Sequence, residues 1–450
     1  MTPLKQLNVV PESIKTTVKS ITRRSFMNQL GSGLLLSSPS IQLLAKTSSS
    51  PVKSKPHRVI VVGAGFGGAT AAKYLRHYSN KTIEVLLIDP NEAFISCPLS
   101  NLVIAGEKDI REISHSRNAL NTRYGVQLIK DSVIQIDGDK KNITLNSGIT
   151  LSYDKLILAP GVDFSYANIP GMNSEYAQEN IVHAWKAGSQ TSILKKQLQA
   201  MPNGGVFAIT IPQIPYRCPP GPYERACQVA VYFKKHKPRS KIIILDANEE
   251  VTSKPHLFKK AWQTYFSDII EYRNNHQLLD IDSKDRVLKF EIQDDLSADV
   301  INLIPPMQAG RVASKAGLAN ANARWCEVNF LTFESVIMPH VHVIGDAIQT
   351  AALMPKSAHM ANQHAKVCAA AIVNLLEDKE PNQHPIYNNV CYSIMGEHTA
   401  AHVSSVHRFN TEKQTMLVVP GAGGLSSNDN ALEYQYALNW AQNIWTDTLK

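Results

Sequence analysis

Residues 58–105 read RVIVVGAGFGGATAAKYLRHYSNKTIEVLLIDPNEAFISCPLSNLVIA, and the order of signals within them decides the fold. Val59 to Val62 is a β-branched run ended by glycine, too short for a core helix, so it reads as the first strand of a parallel sheet. Gly63, Gly65 and Gly68 then spell GxGxxG. Gly63 permits the tight turn, Gly65 lets the backbone approach a pyrophosphate, and Gly68 lets a helix over residues 66–78 pack against the strand. A phosphate would sit on that helix's N-terminus, where amides lack intrahelical partners. A second strand over 83–88 ends at Asp89, where a carboxylate can accept hydrogen bonds from an adenosine ribose. The complete strand, loop, helix, strand and acid are far more specific than a lone glycine motif, yet they do not choose between FAD and NAD. The same stretch carries Cys97.

Outward from this unit, a helix is expected over 111–124, strands over 126–129, 133–136 and 143–145, and a buried strand over 153–158 feeding the turn Ala159-Pro160-Gly161. A second α/β region repeats the outline: Gly204-Gly205, a strand over 206–211, a helix over about 223–236, and a strand over 241–246 ending in Asp246. Its loop differs. Where a dinucleotide needs glycines, the chain has IPQIPYRCPPGP over 211–222, and prolines remove the amide donors a pyrophosphate uses. This half is therefore expected not to bind NAD(P)H. After 299 the chain is expected to return to the first domain, with a strand and turn over 299–305, a strand over 341–344 ending in Gly345-Asp346 and a long alanine-rich helix opening near Lys356 and reaching Leu376. The fold class is α/β: two interleaved Rossmann-like domains, 57–170 with 299–378 and 171–298, plus a smaller C-terminal α+β region, 379–450.

The first 45 residues contain Thr22-Arg23-Arg24-Ser25-Phe26-Met27, a weakly apolar stretch and a plausible cut near Ala45, resembling a twin-arginine export leader; 46–56 reads as a polar linker. Such export carries folded protein and predicts a periplasmic home. The leader holds five basic residues against Glu12, so its removal lowers the formal net charge from +8 to +4, too little for a nucleic-acid-binding case. No stretch is apolar enough to predict a transmembrane segment. The six cysteines form neither CxxC nor CxxCH, so the sequence carries no covalent haem motif and no iron–sulfur or zinc spacing. His398 and His402 lie four apart with no carboxylate pattern to complete a metal site, and none is expected.

Several motifs together resemble the flavoprotein subunit of flavocytochrome c sulfide dehydrogenase, a relative of sulfide:quinone reductase among the disulfide-reductase-like flavoproteins. They are FISCPLSN around Cys97, HAWKAG at 183–188, RCPPGPYERA at 217–226, ADVINLIPP at 298–306, and HVIGDA with MPKSA between 342 and 358. The resemblance implies FAD in the first domain, with Gly345 and Asp346 placing a carboxylate on the ribityl chain and Cys97 carrying the flavin through a thioether. Cys97 also resembles the active cysteine of coenzyme A disulfide reductases, and a plain buried thiol is a third reading. The resemblance further implies a redox disulfide in which Cys218 is one half and sulfide the small sulfur substrate. The other half is expected just after Gly-Asp-Ala, where this chain has Ile348. Cys218 then acts alone, serves an altered sulfur substrate, or pairs with Cys227, Cys326, Cys368 or Cys391; the first two are favoured because disulfide geometry is demanding.

Glu224 reads as a proton acceptor or as a helix-capping charge, and Lys356 as a cation facing the flavin's N1 and O2 region or as a solvated lysine. Haem is expected on a partner only, a c-type cytochrome subunit. The overall expectation is FAD-dependent oxidation of sulfide with electron transfer to that cytochrome. The alternatives are an NAD(P)H-dependent disulfide or persulfide reductase using Cys97, and a non-catalytic flavin-containing sulfur carrier.

Overall fold

The computed structural model describes residues 55–450, so the expected leader and nearly all of the expected linker lie outside the described residues. Strand β1 (Arg58–Val62) is followed by helix α1 (Phe66–Tyr78) and β2 (Glu84–Ile88). With β3 (Gln127–Ile129), β4 (Lys155–Leu158) and a later strand at Val341–Val343, they form a wholly parallel sheet in the order 341–343, β4, β1, β2, β3. Val59, Ile60 and Val61 are fully buried, the continuous apolar run of a parallel strand covered on both faces. Burial of each such side chain contributes roughly 1.5–3 kcal/mol.

The second sheet is also parallel. Its strands β5 (Val206–Ile211), β6 (Lys241–Asp246), β7 (Ile270–Arg273) and β8 (Val300–Leu303) lie in the order β7, β6, β5, β8, and helix α2 (Gly221–His236) follows β5. The strand over 300–303 thus belongs to this sheet, paired with Phe207–Thr210, whereas the sequence placed it in the returning first domain. A strand buried on both faces has the same apolar pattern in either sheet, so its partner is settled by packing alone.

The strand at Val341–Val343, β9, completes the first sheet and leads through Gly345-Asp346 to helix α3 (Ala358–Leu376), capped by the Ser357 hydroxyl, which accepts the Met360 amide at 3.1 Å. The C-terminal region has β10 (Ile386–Ile394), β11 (Ala400–Asn410) and β12 (Thr415–Val418) in an antiparallel sheet, then helix α4 (Ala431–Leu449). It closes back onto the first domain. Asp447 accepts from Tyr74 at 2.6 Å and Asn362 at 2.8 Å, and the Trp445 indole donates to Ser96 Oγ at 2.9 Å, beside Cys97.

The helix expected over 111–124 is broken. A 3₁₀ turn at Ile110–Ile113, capped by Asp109, precedes Ser114–His115, which pairs antiparallel with Phe94–Ile95; helix resumes only at Asn118–Tyr124. That two-residue ladder anchors the Cys97 loop, and tertiary pairing overrides helix propensity there. His398 and His402 are not on one helical face either: His402 lies on β11, with Nδ1 2.8 Å from the Glu433 carboxylate.

Candidate active site

A cavity of about 710 Å³ runs from the glycine loop between the two sheets to the C-terminal region. At one end the backbone of residues 63–67 forms its wall, with Asp89 beside it. Gly63 has φ +92°, and a Cβ there would lie 2.4 Å from the Ala159 carbonyl oxygen; one on Gly68 would lie 1.7 Å from the Gly63 oxygen. These positions are closed to any side chain. A Cβ on Gly65, by contrast, would meet nothing within 4 Å, which leaves room for a phosphate next to the start of α1. Asp89 accepts from the Ala64 amide at 2.7 Å and from the Asn91 amide at 2.8 Å, and the Arg117 guanidinium stands 3.7 Å away. Loop and acid are thereby locked together.

Gly345 and Asp346 line the middle of the cavity. Asp346 Oδ1 is buried without a hydrogen-bond partner, and burial raises its pKa while Arg217 and Lys356 pull it down. An unpartnered carboxylate oxygen in a cavity wall calls for a hydroxyl donor, which a ribityl chain supplies. Together with the open space at Gly65, this makes the residues present fit FAD.

Lys356 stands elsewhere than expected. Its ammonium donates to the Asp346 carbonyl at 3.0 Å and the Ile348 carbonyl at 2.5 Å and lies 3.6 Å from the centre of the Trp325 ring, outside the cavity wall. Burial lowers its pKa to about 7. A buried ammonium takes the nearest acceptors, and two carbonyls after the Gly-Asp turn provide them. The reading of Lys356 as facing the flavin, and the solvated alternative, are both replaced by a structural tie.

Cys97 is half-buried in the cavity wall, with the Ala187 amide 3.5 Å and the Arg217 guanidinium 3.6 Å from its sulfur. Cys218 and Glu224 line the wall contributed by the second domain. Cys218 adopts φ +58°, a left-handed conformation costing about 1–2 kcal/mol for a non-glycine residue. Its thiol is exposed to the cavity yet stands deep in the protein, and that depth, aided by Cys391 and Glu224, raises its pKa to about 12. Burial likewise raises the Glu224 carboxyl to about 7, opposed by a hydrogen bond from Asn101 and by the Lys254 and Arg225 charges.

Three residues that the motifs did not single out complete the site. Arg217 precedes Cys218 and reaches Cys97, so one guanidinium links both sulfurs' neighbourhoods. Arg225, 2% exposed, donates to Asn101 Oδ1, Asn302 Oδ1 and the His183 and Ala184 carbonyls at 2.7–3.0 Å and lies over the Trp185 ring. It rivets the two domains where the cavity passes between them. Both sit within RCPPGPYERA, which was the signal available. Lys254, 4% exposed, donates to the Cys391 carbonyl at 3.2 Å and had no sequence signal. From the C-terminal region Cys391, Tyr392 and Trp440 also line the cavity. Among the described residues no group of three or more His, Cys, Asp or Glu side chains is placed to hold a metal.

Residues 191–305 match the family model for the central part of the sulfide dehydrogenase [flavocytochrome c] flavoprotein chain, and 383–449 match that for flavocytochrome c sulphide dehydrogenase, flavin-binding. Residues 57–201 match the pyridine nucleotide-disulphide oxidoreductase model. A sulfide dehydrogenase [flavocytochrome c] flavoprotein chain from Chlorobaculum thiosulfatiphilum is 56% identical over 46 residues, which is 94% of that sequence and 10% of this chain.

The chain belongs to this family.

The flavocytochrome c sulfide dehydrogenase flavoprotein family makes it a flavin-dependent oxidoreductase. The mitochondrial sulfide:quinone oxidoreductase of Mus musculus is 26% identical over 353 residues, 74% of each chain. The solved sulfide:quinone oxidoreductase of Aquifex aeolicus superposes with a TM-score of 0.72 at 18% identity, covering 87% of this chain and 91% of that one, so the two share a fold. Flavin binding by this family accords with the cavity at Gly63, Gly65 and Asp346, and the C-terminal match covers the region that brings Cys391 to it.

Proposed function

We propose that the chain oxidises sulfide, or a related reduced sulfur compound, in the periplasm and passes the electrons through FAD to a separate c-type cytochrome subunit. The observation that carries this reading is the single cavity in which Cys218 and Glu224 face the flavin-binding wall of Cys97, Gly345 and Asp346. Bound FAD supplies a two-electron acceptor that can release electrons singly. The chain's residues do the rest. Gly63, Gly65 and Gly68 admit the pyrophosphate, Asp89 the ribose, and Asp346 a ribityl hydroxyl. Cys97 ties the flavin covalently through its 8α-methyl group. Glu224, with a pKa of about 7, takes the proton of incoming hydrogen sulfide at neutral pH.

Two features support the electron route. In the second sheet Asp246, which would grip a nicotinamide cofactor's ribose, is fully buried and bonded to the Tyr223 hydroxyl at 2.6 Å and the Tyr272 hydroxyl at 3.2 Å. The given sequence has no CxxCH, so the haem belongs to the partner. No helix among the described residues is long and apolar enough to cross a membrane. The periplasmic location rests on the twin-arginine pattern.

Rapid mixing tests the reading: sulfide should bleach the flavin, and added cytochrome c should then be reduced; cytochrome reduction driven by NADH instead would overturn it. Denatured wild-type protein should keep its flavin on the polypeptide and Cys97→Ser should release it. Free FAD from denatured wild type would remove the thioether.

A further inference from the structure

We propose that Cys391 is the second sulfur of the redox pair, bonded to Cys218 in the resting oxidised enzyme, in place of the position that Ile348 occupies. This deepens the sulfide-oxidising reading above and rests on it.

The position of the sulfurs argues first. Cys227, Cys326 and Cys368 are fully buried in the core and absent from the cavity wall; Cys97, Cys218 and Cys391 line it. With Cys97 committed to the flavin, Cys218 and Cys391 remain. Ile348 is itself fully buried, with its backbone beside Cys326 and its carbonyl held by Lys356, outside the cavity wall.

The backbone then moors the two, free thiols in the structure, to one segment. The Cys218 amide donates to the Lys356 carbonyl at 2.9 Å. The next residue, Ser357, donates its hydroxyl to Asn389 Oδ1 at 2.7 Å, and Asn389 Nδ2 lies 3.4 Å from Cys391 Sγ. Both cysteines are thus moored to the same two-residue segment at the start of α3, one from the second domain and one from β10. Lys254 closes the group: its ammonium donates to the Cys391 carbonyl and faces Cys391, Glu224 and Cys218.

Reactivity also argues against Cys218 working alone. Burial that raises Cys218 to about 12 leaves almost no thiolate at neutral pH, so Cys218 alone is a poor nucleophile.

The chemistry balances. Hydrogen sulfide gives its proton to the Glu224 carboxylate, and hydrosulfide attacks Cys218 Sγ. The new sulfur–sulfur bond forms as the Cys218–Cys391 bond breaks, and Cys391 leaves as a thiolate, with the electron pair, beside the Lys254 ammonium. The attacking sulfur is oxidised to the persulfide level and the disulfide is reduced by two electrons. A second hydrosulfide removes the bound sulfur as HSS⁻, leaving a Cys218 thiol and the Cys391 thiolate. The bond is remade when these give up one proton and two electrons, the acceptor being a flavin.

The test is peptide mapping of the oxidised holoprotein, alkylated during denaturation without reductant and digested. The Cys218 and Cys391 peptides should appear cross-linked, and prior incubation with excess sulfide should convert both to alkylated or persulfidated forms. Cys391→Ser, and Cys391→Ala as a second variant, should retain full flavin content and lose the cross-link. Both cysteines fully alkylated in the resting protein, or Cys218 linked to Cys326, would overturn the pairing. The flavin spectrum recorded on the same samples separates the two claims. Flavin reduction by sulfide without a cross-link refutes the pair and leaves sulfide oxidation standing. A cross-link with a flavin inert to sulfide supports the pair and refutes the substrate.

Discussion

At Glu224 burial and ionisation oppose each other, and the balance fixes a pH dependence. Its carboxyl titrates at about 7 in the folded protein, against about 4.3 in an unfolded chain. The base form is needed for proton acceptance, so sulfide-driven flavin reduction should fall as pH drops below about 7. Glu224→Gln should abolish that limb and slow reduction about 10²–10⁴-fold, measured by rapid mixing across pH. The stability linkage has the opposite direction. A raised folded pKa contributes stability that is fully present below about 4.3 and is lost as pH rises through about 7, so urea denaturation of Glu224→Gln should lose that slope. Arg225 makes a different point. Replacing it by Met strands two buried amide oxygens and the Ala184 carbonyl, and should cost about 3–5 kcal/mol by urea denaturation. Neither effect was legible in the sequence, which showed Glu224 near Cys218 but not the enclosure that shifts its pKa. Lys356 shows the same limit: its motif was visible, but the carbonyls that hold it were not.

Among the elements, the opening of the first domain was read closely. Val59 to Val62, the glycine loop and the strand ending at Asp89 lie within a residue or so of their expected bounds, because each is dictated by local chemistry: β-branching, φ above zero, a strand end. Gly68→Ala should therefore fail severely. Its Cβ would lie 1.7 Å from the Gly63 oxygen, and α1 would have to leave β1; the expected outcome, read by flavin absorbance of purified protein, is loss of bound flavin. Elements whose identity depends on distant partners were read less well. The local pattern shows Val300–Leu303 as a strand but not which sheet it joins, and it reads 111–124 as one helix because nothing local reveals that Ser114–His115 pairs with Phe94–Ile95.

For the molecule as a whole, the motifs led to the family, and the fold explains why they are scattered. Cys97 comes from the first domain, Cys218 and Glu224 from the second, Asp346 from the returning segment and Cys391 from the C-terminal region, and only the folded chain brings them to one cavity. The C-terminal region thus does two things: it clasps α1 through Asp447, and it lines the cavity with Cys391, Tyr392 and Trp440. In the second domain Asp246 is held by Tyr223 and Tyr272, which on the proposed function leaves it no part in holding a nicotinamide ribose. Electrons should therefore enter from sulfur and not from a nicotinamide. Anaerobic titration of the flavin with sulfide and with NADH, side by side, decides the matter. Sulfide should bleach the flavin stoichiometrically, and NADH should leave the oxidised spectrum unchanged. Bleaching by NADH with no response to sulfide would contradict this.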